Sequence, residues 1–123
     1  MSGSGPVRVL IVEDSVDQRE LFRTYFEKAG CAVVTAKSAE DAIPVYFADP
    51  PELAVIDLLL PGMSGKDLVS KLREDLPTCA IAVTSVLEAR YYPEAEAILP
   101  KPVTRAQVMQ ALAECVPRWA TQQ

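Results

Sequence analysis

The stretch VLIVEDS, Val9–Ser15, decides how the rest of the sequence is interpreted. Four apolar residues lead directly into two adjacent carboxylates, Glu13 and Asp14. An apolar run of this kind is typical of a strand that is buried on both faces of a parallel sheet. The carboxylates would then stand at the carboxyl end of the strand, where open α/β sheets place their binding sites. The stretch therefore predicts an α/β fold with an acidic site.

Length and composition restrict the chain to a few classes of protein. Its 123 residues, half of them hydrophobic, fit a single domain with one core. The net charge of −5 argues against a basic face that would bind nucleic acid directly. No apolar run has the length of a membrane span, and the opening lacks the features of a secretory signal. We therefore expect a soluble, cytoplasmic protein that contacts neither nucleic acid nor membrane.

Two residue types narrow the chemistry further. The chain contains no histidine, which excludes histidine-dependent triads and means that the chain cannot carry a phosphohistidine itself. The three cysteines, Cys31, Cys79 and Cys115, are widely spaced among apolar residues. We interpret them as small side chains of the core.

The two ends of the chain are predicted to lie outside the fold. Residues 1–6 include the small, flexible run SGSGP and form a disordered tail or an expression scar. The domain itself is predicted to span residues 7–118. Residues 119–123 form a C-terminal tail, in which we expect Trp119 to be a loose packing or docking residue rather than a site residue.

Short apolar runs alternate with longer amphipathic segments, which is the pattern of βαβ units. The predicted strands are Val7–Val12, Cys31–Ala36, Glu52–Asp57, Cys79–Ser85 and Ala97–Pro100. The predicted helices are Val16–Ala29, ended by Gly30; Ala39–Ala48; one from the Ser64 cap to about Asp75; and one from the Thr104 cap to near Pro117. Pro44 should kink the second helix or shift its start. Five strands and about five helices favour an open, doubly wound α/β fold.

Polar residues stand at the carboxyl ends of four of these strands. They are Glu13 and Asp14, Asp57, Thr84 with Ser85, and Lys101. If strands one, three, four and five lie side by side, these residues line a single crevice. Three carboxylates so close would repel one another unless a cation held them, and oxygen ligands favour Mg²⁺ over zinc. Taken alone, an acidic strand end could instead be an ordinary helix cap.

Four segments, VLIVEDS, AVIDLLLPGMSG, AVTS and LPKP, resemble in order and context the receiver domain of two-component response regulators. The resemblance covers the chain from about Val7 to Val116. It implies a flavodoxin-like fold with a five-stranded parallel sheet in the order 2-1-3-4-5. It also implies a phosphorylation-dependent signalling switch in a two-component system or phosphorelay. The implied partners are a sensor histidine kinase or histidine phosphotransfer protein as phosphohistidine donor, and a downstream effector protein.

The resemblance implies how the acidic residues act. Asp57 would be the phospho-acceptor. Mg²⁺ would be bound by the main-chain carbonyl of Leu59 and by the carboxylates of Glu13, Asp14 and Asp57. Because the product is a mixed anhydride, water can later hydrolyse it, so the domain would reset itself without being an enzyme that acts on another substrate.

The resemblance also implies roles for the residues that end the last two strands. Thr84 would donate its hydroxyl to the phosphoryl group, and Ser85 is small enough to leave the phosphoryl entry open. Lys101 would pair with Asp57 and then with the phosphoryl oxygens. The bond between Lys101 and Pro102 resembles the family's cis peptide bond.

The chain departs from the family's pattern in the residues that carry the signal onward. The switch position three places before the lysine, usually aromatic, is Ile98, which cannot swing in the same manner. Tyr91 and Tyr92 either substitute for it or belong to an interaction surface. The segment between strands four and five is several residues shorter than usual, so we expect the fourth helix to be short or irregular. A homodimer is possible, but not in the family's common way.

Hydrolysis of the phosphoryl group is also expected to differ. The positions two after the aspartate and two after the threonine are Leu59 and Val86. Neither apolar side chain can orient an attacking water, so we expect a comparatively long-lived phosphoryl group.

Two other function classes stay open at the level of sequence. A docking module would keep the pocket and work without phosphorylation, which Ile98 and the short fourth helix favour. A haloacid dehalogenase-type phosphatase would use Asp57 as nucleophile, but that family needs a second aspartate where Leu59 stands.

Overall fold

A computed structural model of the chain describes residues 5–85 and 94–122. These residues form five strands: β1 Arg8–Val12, β2 Ala32–Ala36, β3 Leu53–Asp57, β4 Ala80–Ser85 and β5 Ala97–Pro100. They also form five helices: α1 Val16–Lys28, α2 Ala39–Ala48, α3 Gly65–Asp75, α4 Arg105–Cys115 and α5 Pro117–Thr121. The strands pair in parallel in the order β2-β1-β3-β4-β5, which confirms the predicted topology. None of the helices in these ranges is long and apolar enough to cross a membrane.

Strand residues alternate between two hydrophobic cores, one on each face of the sheet. In β1, Val9 and Ile11 belong to one core, and Leu10 and Val12 belong to the other. Helices α1, α4 and α5 cover the first face, and α2 and α3 cover the second. All five residues of β3 are buried, which explains why this central strand is almost continuously apolar.

Hydroxyl side chains begin four of the helices, and two of these caps, Ser64 and Thr104, are predicted from the sequence. Ser15, Ser38 and Ser64 each accept a hydrogen bond from a main-chain N–H in the first turn of the following helix. Thr104 does the same for α4 and forms a full capping box with Gln107. Gly30, with φ +91°, ends the first helix in the left-handed conformation that glycine tolerates best.

Pro44 lies inside α2 and neither ends the helix nor shifts its start. The helix begins at Ala39, directly after the Ser38 cap. The proline ring is on the exposed side, so the opposite side can still bury Ala39, Ala42 and Tyr46. Packing of that buried side offsets the hydrogen bond that proline cannot donate.

The prediction of a loose C-terminal tail from residue 119 is wrong, because the chain forms a second helix after α4. Pro117 occupies the first position of α5, where the lack of an N–H carries no cost. Trp119 is only 5% exposed and belongs to the core under α1 and α4. Its indole N–H donates to the carbonyl of Ala29 at 2.8 Å, so the core extends past the predicted end of the last helix.

Arg118 joins α5 to the beginning of the chain and to the sheet. Its guanidinium donates two hydrogen bonds to the Glu52 carboxylate, at 2.6 and 2.8 Å. It also donates to the carbonyls of Gly5 and Pro6. These two residues of the predicted N-terminal tail are therefore held against the fold, whereas residues 1–4 lie outside the described residues.

The cysteines are buried or half-buried, as predicted for core side chains. Burial raises the pKa of the Cys31 and Cys115 thiols to about 11 and that of Cys79 to about 12. Such thiols carry almost no thiolate at neutral pH and are chemically inert. The predicted short or irregular fourth helix falls on residues 86–93, which lie outside the described residues.

Candidate functional site

The carboxyl edge of the sheet brings together the polar residues that end four strands. Asp57 is the last residue of β3 and pairs in register with Thr84 in β4. Glu13 directly follows β1, and Lys101 directly follows β5. Residues far apart in sequence meet here because the parallel strands all end at this edge.

Lys101 lies between two carboxylates. Its Nζ is 3.0 Å from Asp57 Oδ2 and 2.6 Å from Glu13 Oε1, and its side chain is 12% exposed. The Asp57 contact is a hydrogen bond, and the Glu13 contact is a close ion pair. Burial opposes the charge of Lys101, but bonding to Glu13 and Asp57 outweighs it and raises the pKa of the ammonium. Lys101 is therefore protonated at neutral pH.

Glu13 is the most deeply buried acid of the group, at 1% exposed. Burial is the main cause that raises the pKa of its carboxyl, and the nearby Asp57 raises it further. The Lys101 ammonium and the main-chain N–H of Ser15, which donates to Oε2 at 3.0 Å, act in the opposite direction. The negative charge of the buried Glu13 carboxylate is therefore stabilised by nearby positive charge, such as that of Lys101.

Glu13, Asp14 and Asp57 form an acidic cluster. Each offers a carboxylate oxygen, and these oxygens lie within 4.8 Å of one another. With one ammonium against three carboxylates, the group has a formal charge of about −2 when all four are ionised. Hard oxygen donors and this charge fit a divalent cation such as Mg²⁺. The reading of these acids as helix caps does not hold, because it is the Ser15 side chain that caps α1.

Thr84 places a completely buried hydroxyl at this edge. Its Oγ1 has no hydrogen-bond partner among the described residues. A buried polar atom without a partner is costly, so it indicates a group that binds when the site is in use. Ser85 follows it and is also buried, at 2% exposed.

The Asp57 side chain is fixed from two directions and is only 3% exposed. Oδ1 accepts a hydrogen bond from the main-chain N–H of Leu59 at 2.9 Å, while Oδ2 faces Lys101. The Leu59 side chain itself is half exposed. The carboxylate therefore points into the crevice rather than into the core.

Sequence reasoning missed Gly65, which allows the chain to approach the back of Asp57. A Cβ at this position would overlap the Asp57 carbonyl oxygen and lie 2.6 Å from Leu58 Cα. The sequence signal for this close approach is a glycine at the first position of a helix, directly after the Ser64 cap. Most side chains are tolerated at that position, so a glycine there indicates that space is restricted.

Two charged residues that hold the loops around the site were also missed. Arg19 donates through Nη1 to the carbonyls of Glu13 and Asp14, at 2.9 and 3.4 Å. Glu40 accepts a hydrogen bond from the main-chain N–H of Met63 at 2.9 Å. A basic residue near the start of α1, such as Arg19, is only a weak sequence signal for a contact with the preceding turn. The Glu40 contact joins residues 23 positions apart, so no local sequence pattern indicates it.

Of the predicted output residues, Ile98 is not part of this cluster. Ile98 lies on β5 with 48% of its surface exposed, beside a groove of about 200 Å³ between β5 and α4. Tyr91, Tyr92 and Val86 lie outside the described residues. The Lys101–Pro102 peptide bond is cis, as the resemblance implies.

Comparison with known proteins agrees with this architecture. The family model described as "Response regulator receiver domain" matches residues 9–113. Among solved structures, a response regulator receiver domain (CheY-like) from Methylobacillus flagellatus superposes with a TM-score of 0.81 at 27% identity. That match covers 89% of this chain and 98% of the other.

Curated relatives are longer than this chain. A cyclic di-GMP phosphodiesterase of Thermotoga maritima is 35% identical over 80 residues, which are 65% of this chain and 21% of that protein. The probable transcriptional regulatory protein TcrX of Mycobacterium tuberculosis is 31% identical over 84 residues, 68% of this chain and 36% of that protein. The chain thus spans between a fifth and two fifths of the length of these two relatives.

Proposed function

Because this chain belongs to the response regulator receiver domain family, we propose that it is a phosphorylation-dependent switch that accepts a phosphoryl group on Asp57. The observation that carries the proposal is the pairing of Asp57 Oδ2 with Lys101 Nζ at 3.0 Å, beside the buried Thr84 hydroxyl, which has no hydrogen-bond partner in the described part of the chain. A carboxylate, an ammonium and a hydroxyl donor are the groups that a phosphoryl acceptor site needs.

The donor that fits is a phosphohistidine on a sensor histidine kinase or a histidine phosphotransfer protein, since this chain has no histidine of its own. An oxygen of Asp57 attacks phosphorus in line, the P–O bond forms and the P–N bond to the imidazole breaks. The leaving imidazole takes up a proton. The product is an acyl phosphate on Asp57.

Lys101 and Thr84 have separate roles in this step. The Lys101 ammonium pairs with the Asp57 carboxylate before transfer and then with the phosphoryl oxygens. The Thr84 hydroxyl, which bonds to none of the residues in 5–85 and 94–122, donates a hydrogen bond to a phosphoryl oxygen. Ser85, the next residue, has a side chain small enough to leave the entry of the phosphoryl group open.

Mg²⁺ fits the donor set, and we assign its ligands to Glu13, Asp14, Asp57 and the main-chain carbonyl of Leu59. When bound, Mg²⁺ supplies positive charge that offsets the phosphoryl oxygens beside three carboxylates. Arg19 supports two of these ligands by holding the carbonyls of the turn that carries them.

The same pocket is proposed to reset slowly. Hydrolysis of the acyl phosphate needs a water that is positioned for attack, and the half-exposed Leu59 side chain offers it no hydrogen bond. The domain therefore promotes its own phosphorylation and slow dephosphorylation, and does not turn over another substrate.

Output is proposed to reach an effector protein through the exposed β5 and α4 side, on which Ile98 lies. The aliphatic residue cannot swing as an aromatic one does, so the change in partner binding differs from the family's common form. Exposure of Ile98 also favours the second candidate, a protein-docking module that works without phosphorylation. A homodimer that forms through this side would be compatible with both the switch and the docking module.

Intact-mass measurement with a small phosphodonor such as acetyl phosphate, with and without Mg²⁺, tests the proposal. We expect one added phosphoryl group that requires Mg²⁺ and is removed by hydroxylamine, as an acyl phosphate is. Asp57→Asn should abolish it, whereas Asp17→Asn, a control in the first turn of α1, should not. If the wild-type chain gains no mass, the docking function replaces the switch.

A further inference from the structure

The loop between β3 and α3, residues 58–64, carries the Leu59 carbonyl, and three of its contacts hold its main chain near the site. At its start, the Leu59 N–H donates to Asp57 Oδ1. At its end, Gly65 lies against the Asp57 main chain so closely that a Cβ would overlap it. The third contact comes from outside the loop, from Glu40 in the first turn of α2.

The Glu40 contact is made to the middle of the loop. Its Oε2 accepts a hydrogen bond from the Met63 N–H at 2.9 Å. A Cβ on the neighbouring Gly62 would lie 2.8 Å from the same oxygen, so any side chain there would displace the Glu40 carboxylate from its present position. Gly62 has φ +71°, a conformation that turns the Met63 N–H toward α2.

We propose that Glu40 is a positioning residue for the Mg²⁺ site: by fixing the loop at Gly62 and Met63, it holds the Leu59 carbonyl where it can bind the cation. This inference rests on the proposed function, because it assigns a role within the same site. Residues that do not bind a metal themselves can still increase its affinity by orienting the groups that do.

Two further observations support this role. The hydrogen bond from Met63 is the main cause that lowers the pKa of the Glu40 carboxyl, so the acceptor is ionised at neutral pH. The contact also joins α2, on one side of the pocket, to the middle of the loop main chain, whereas the hydrogen bonds of the Leu58 and Leu59 N–H groups and the close approach of Gly65 lie at the two ends of the loop. The Leu60 and Met63 side chains pack against the core.

The alternative is that Glu40 acts only as an acidic residue near a helix N-terminus or near the pocket. Asp41 is the matched control, because it lies in the same first turn and has the same charge. The Asp41 carboxylate has no hydrogen bond or ion pair with the loop in the described part of the chain. A purely electrostatic effect should therefore appear in both variants.

The test measures Mg²⁺ affinity directly by calorimetry and, separately, the phosphorylation rate from acetyl phosphate as a function of Mg²⁺ concentration. In Glu40→Ala we expect the Mg²⁺ dissociation constant and the half-saturating concentration to rise about three- to tenfold. The rate at saturating Mg²⁺ should stay within about twofold, since the reacting groups are unchanged. Glu40→Gln, which still offers an acceptor oxygen, should restore wild-type affinity, and Asp41→Ala should behave as wild type.

Three results would overturn the inference: unchanged affinity in Glu40→Ala, an equal loss in Asp41→Ala, or a fall in the saturating rate without a change in affinity. Failure of the proposed function has a different signature, because then the wild-type chain itself would neither bind Mg²⁺ nor accept a phosphoryl group. Thermal unfolding of each variant checks that the loss is not one of folding.

Discussion

At the scale of single residues, the site depends on one ammonium between two carboxylates. Lys101 balances part of the charge that Glu13 and Asp57 bring to the edge of the sheet. The same contacts mean that the lysine competes with any cation for these two acids. Replacing Lys101 should therefore change the rate of phosphoryl transfer and the affinity for the metal ion in different ways.

Lys101→Met should slow phosphorylation from acetyl phosphate at saturating Mg²⁺ by about a hundredfold, because the charge that stabilises the phosphoryl oxygens is gone. Affinity for Mg²⁺, measured by calorimetry, should stay the same or become tighter, since the competing ammonium is absent. Lys37→Met, an exposed lysine after β2, is the control. A loss of metal affinity that accounts for the whole loss of rate would contradict this role.

Leu59 gives a second prediction at this scale. Leu59→Asn places a hydrogen-bonding amide at the half-exposed position two residues after Asp57, where it can orient water. The half-life of the phosphorylated domain should shorten by about three- to tenfold, followed as loss of label after removal of the donor. Met109→Asn, at an exposed apolar position on α4, should leave the half-life unchanged. A wild-type label that is lost within seconds would contradict the account.

Residue-level prediction from sequence succeeds where the strand pattern itself carries the information. Glu13, Asp57, Thr84 and Lys101 each follow or end an apolar run, so their meeting at one edge could be expected, and the structure brings them together. Glu40 could not be found in this way. Its contact depends on how two separate elements pack and not on any spacing in the chain.

At the scale of elements, the junction of β3 and α3 depends on one glycine. Gly65→Ala should lower the free energy of unfolding by about 2 kcal/mol or more, because the new methyl group overlaps the Asp57 carbonyl. Urea denaturation measures this change, and phosphorylation should slow as Asp57 is displaced. Lys66→Ala, the exposed next residue, is the control. A Gly65→Ala variant of wild-type stability would contradict the close approach.

Helix α5 gives a prediction about pH. The hydrogen bonds from Arg118, opposed by partial burial and helped by Arg8, lower the pKa of Glu52. A group whose pKa is lowered in the folded state contributes stability above its unfolded pKa, near 4.5, and loses it as the pH falls through the folded pKa. Glu52→Gln should therefore be less stable than wild type at pH about 7, and the two stabilities should converge as the pH falls below 4.5 and through the lowered pKa of the folded state.

Urea denaturation across this pH range measures the difference. Glu114→Gln, which removes an exposed carboxylate from α4, should run parallel to wild type. A constant gap between Glu52→Gln and wild type down to acid pH would mean that the ion pair with Arg118 does not contribute in this way.

Element boundaries were predictable where caps and glycines mark them and less so where packing decides. Ser64 and Thr104 start their helices as predicted, and Gly30 ends the first helix. Pro44 shows that a buried helix face overrides a local helix breaker. At Pro117 the sequence pattern predicts only the end of the preceding helix, although proline is also common at the first position of a new helix, as it is in α5.

At the scale of the whole molecule, the carboxyl ends and the amino ends of the strands carry different groups of contacts. The carboxyl edge gathers the acidic cluster and Lys101. The opposite edge is fixed by Arg118, which joins α5, Glu52 and residues 5 and 6. The sheet order was predictable because alternation of apolar runs and helices in a short chain leaves few topologies. The contacts at the opposite edge were not predictable, since they join residues more than sixty positions apart.

The central claim is that this edge of the sheet accepts a phosphoryl group on one particular carboxylate, and the most direct measurement identifies that residue. Borohydride reduces an acyl phosphate to an alcohol, so the phosphorylated chain can be trapped and the modified residue located by peptide mass spectrometry. The account predicts modification of Asp57 alone, dependent on Mg²⁺ and on the phosphodonor. Modification of Asp14 or Glu13 instead, or of no residue at all, would contradict it.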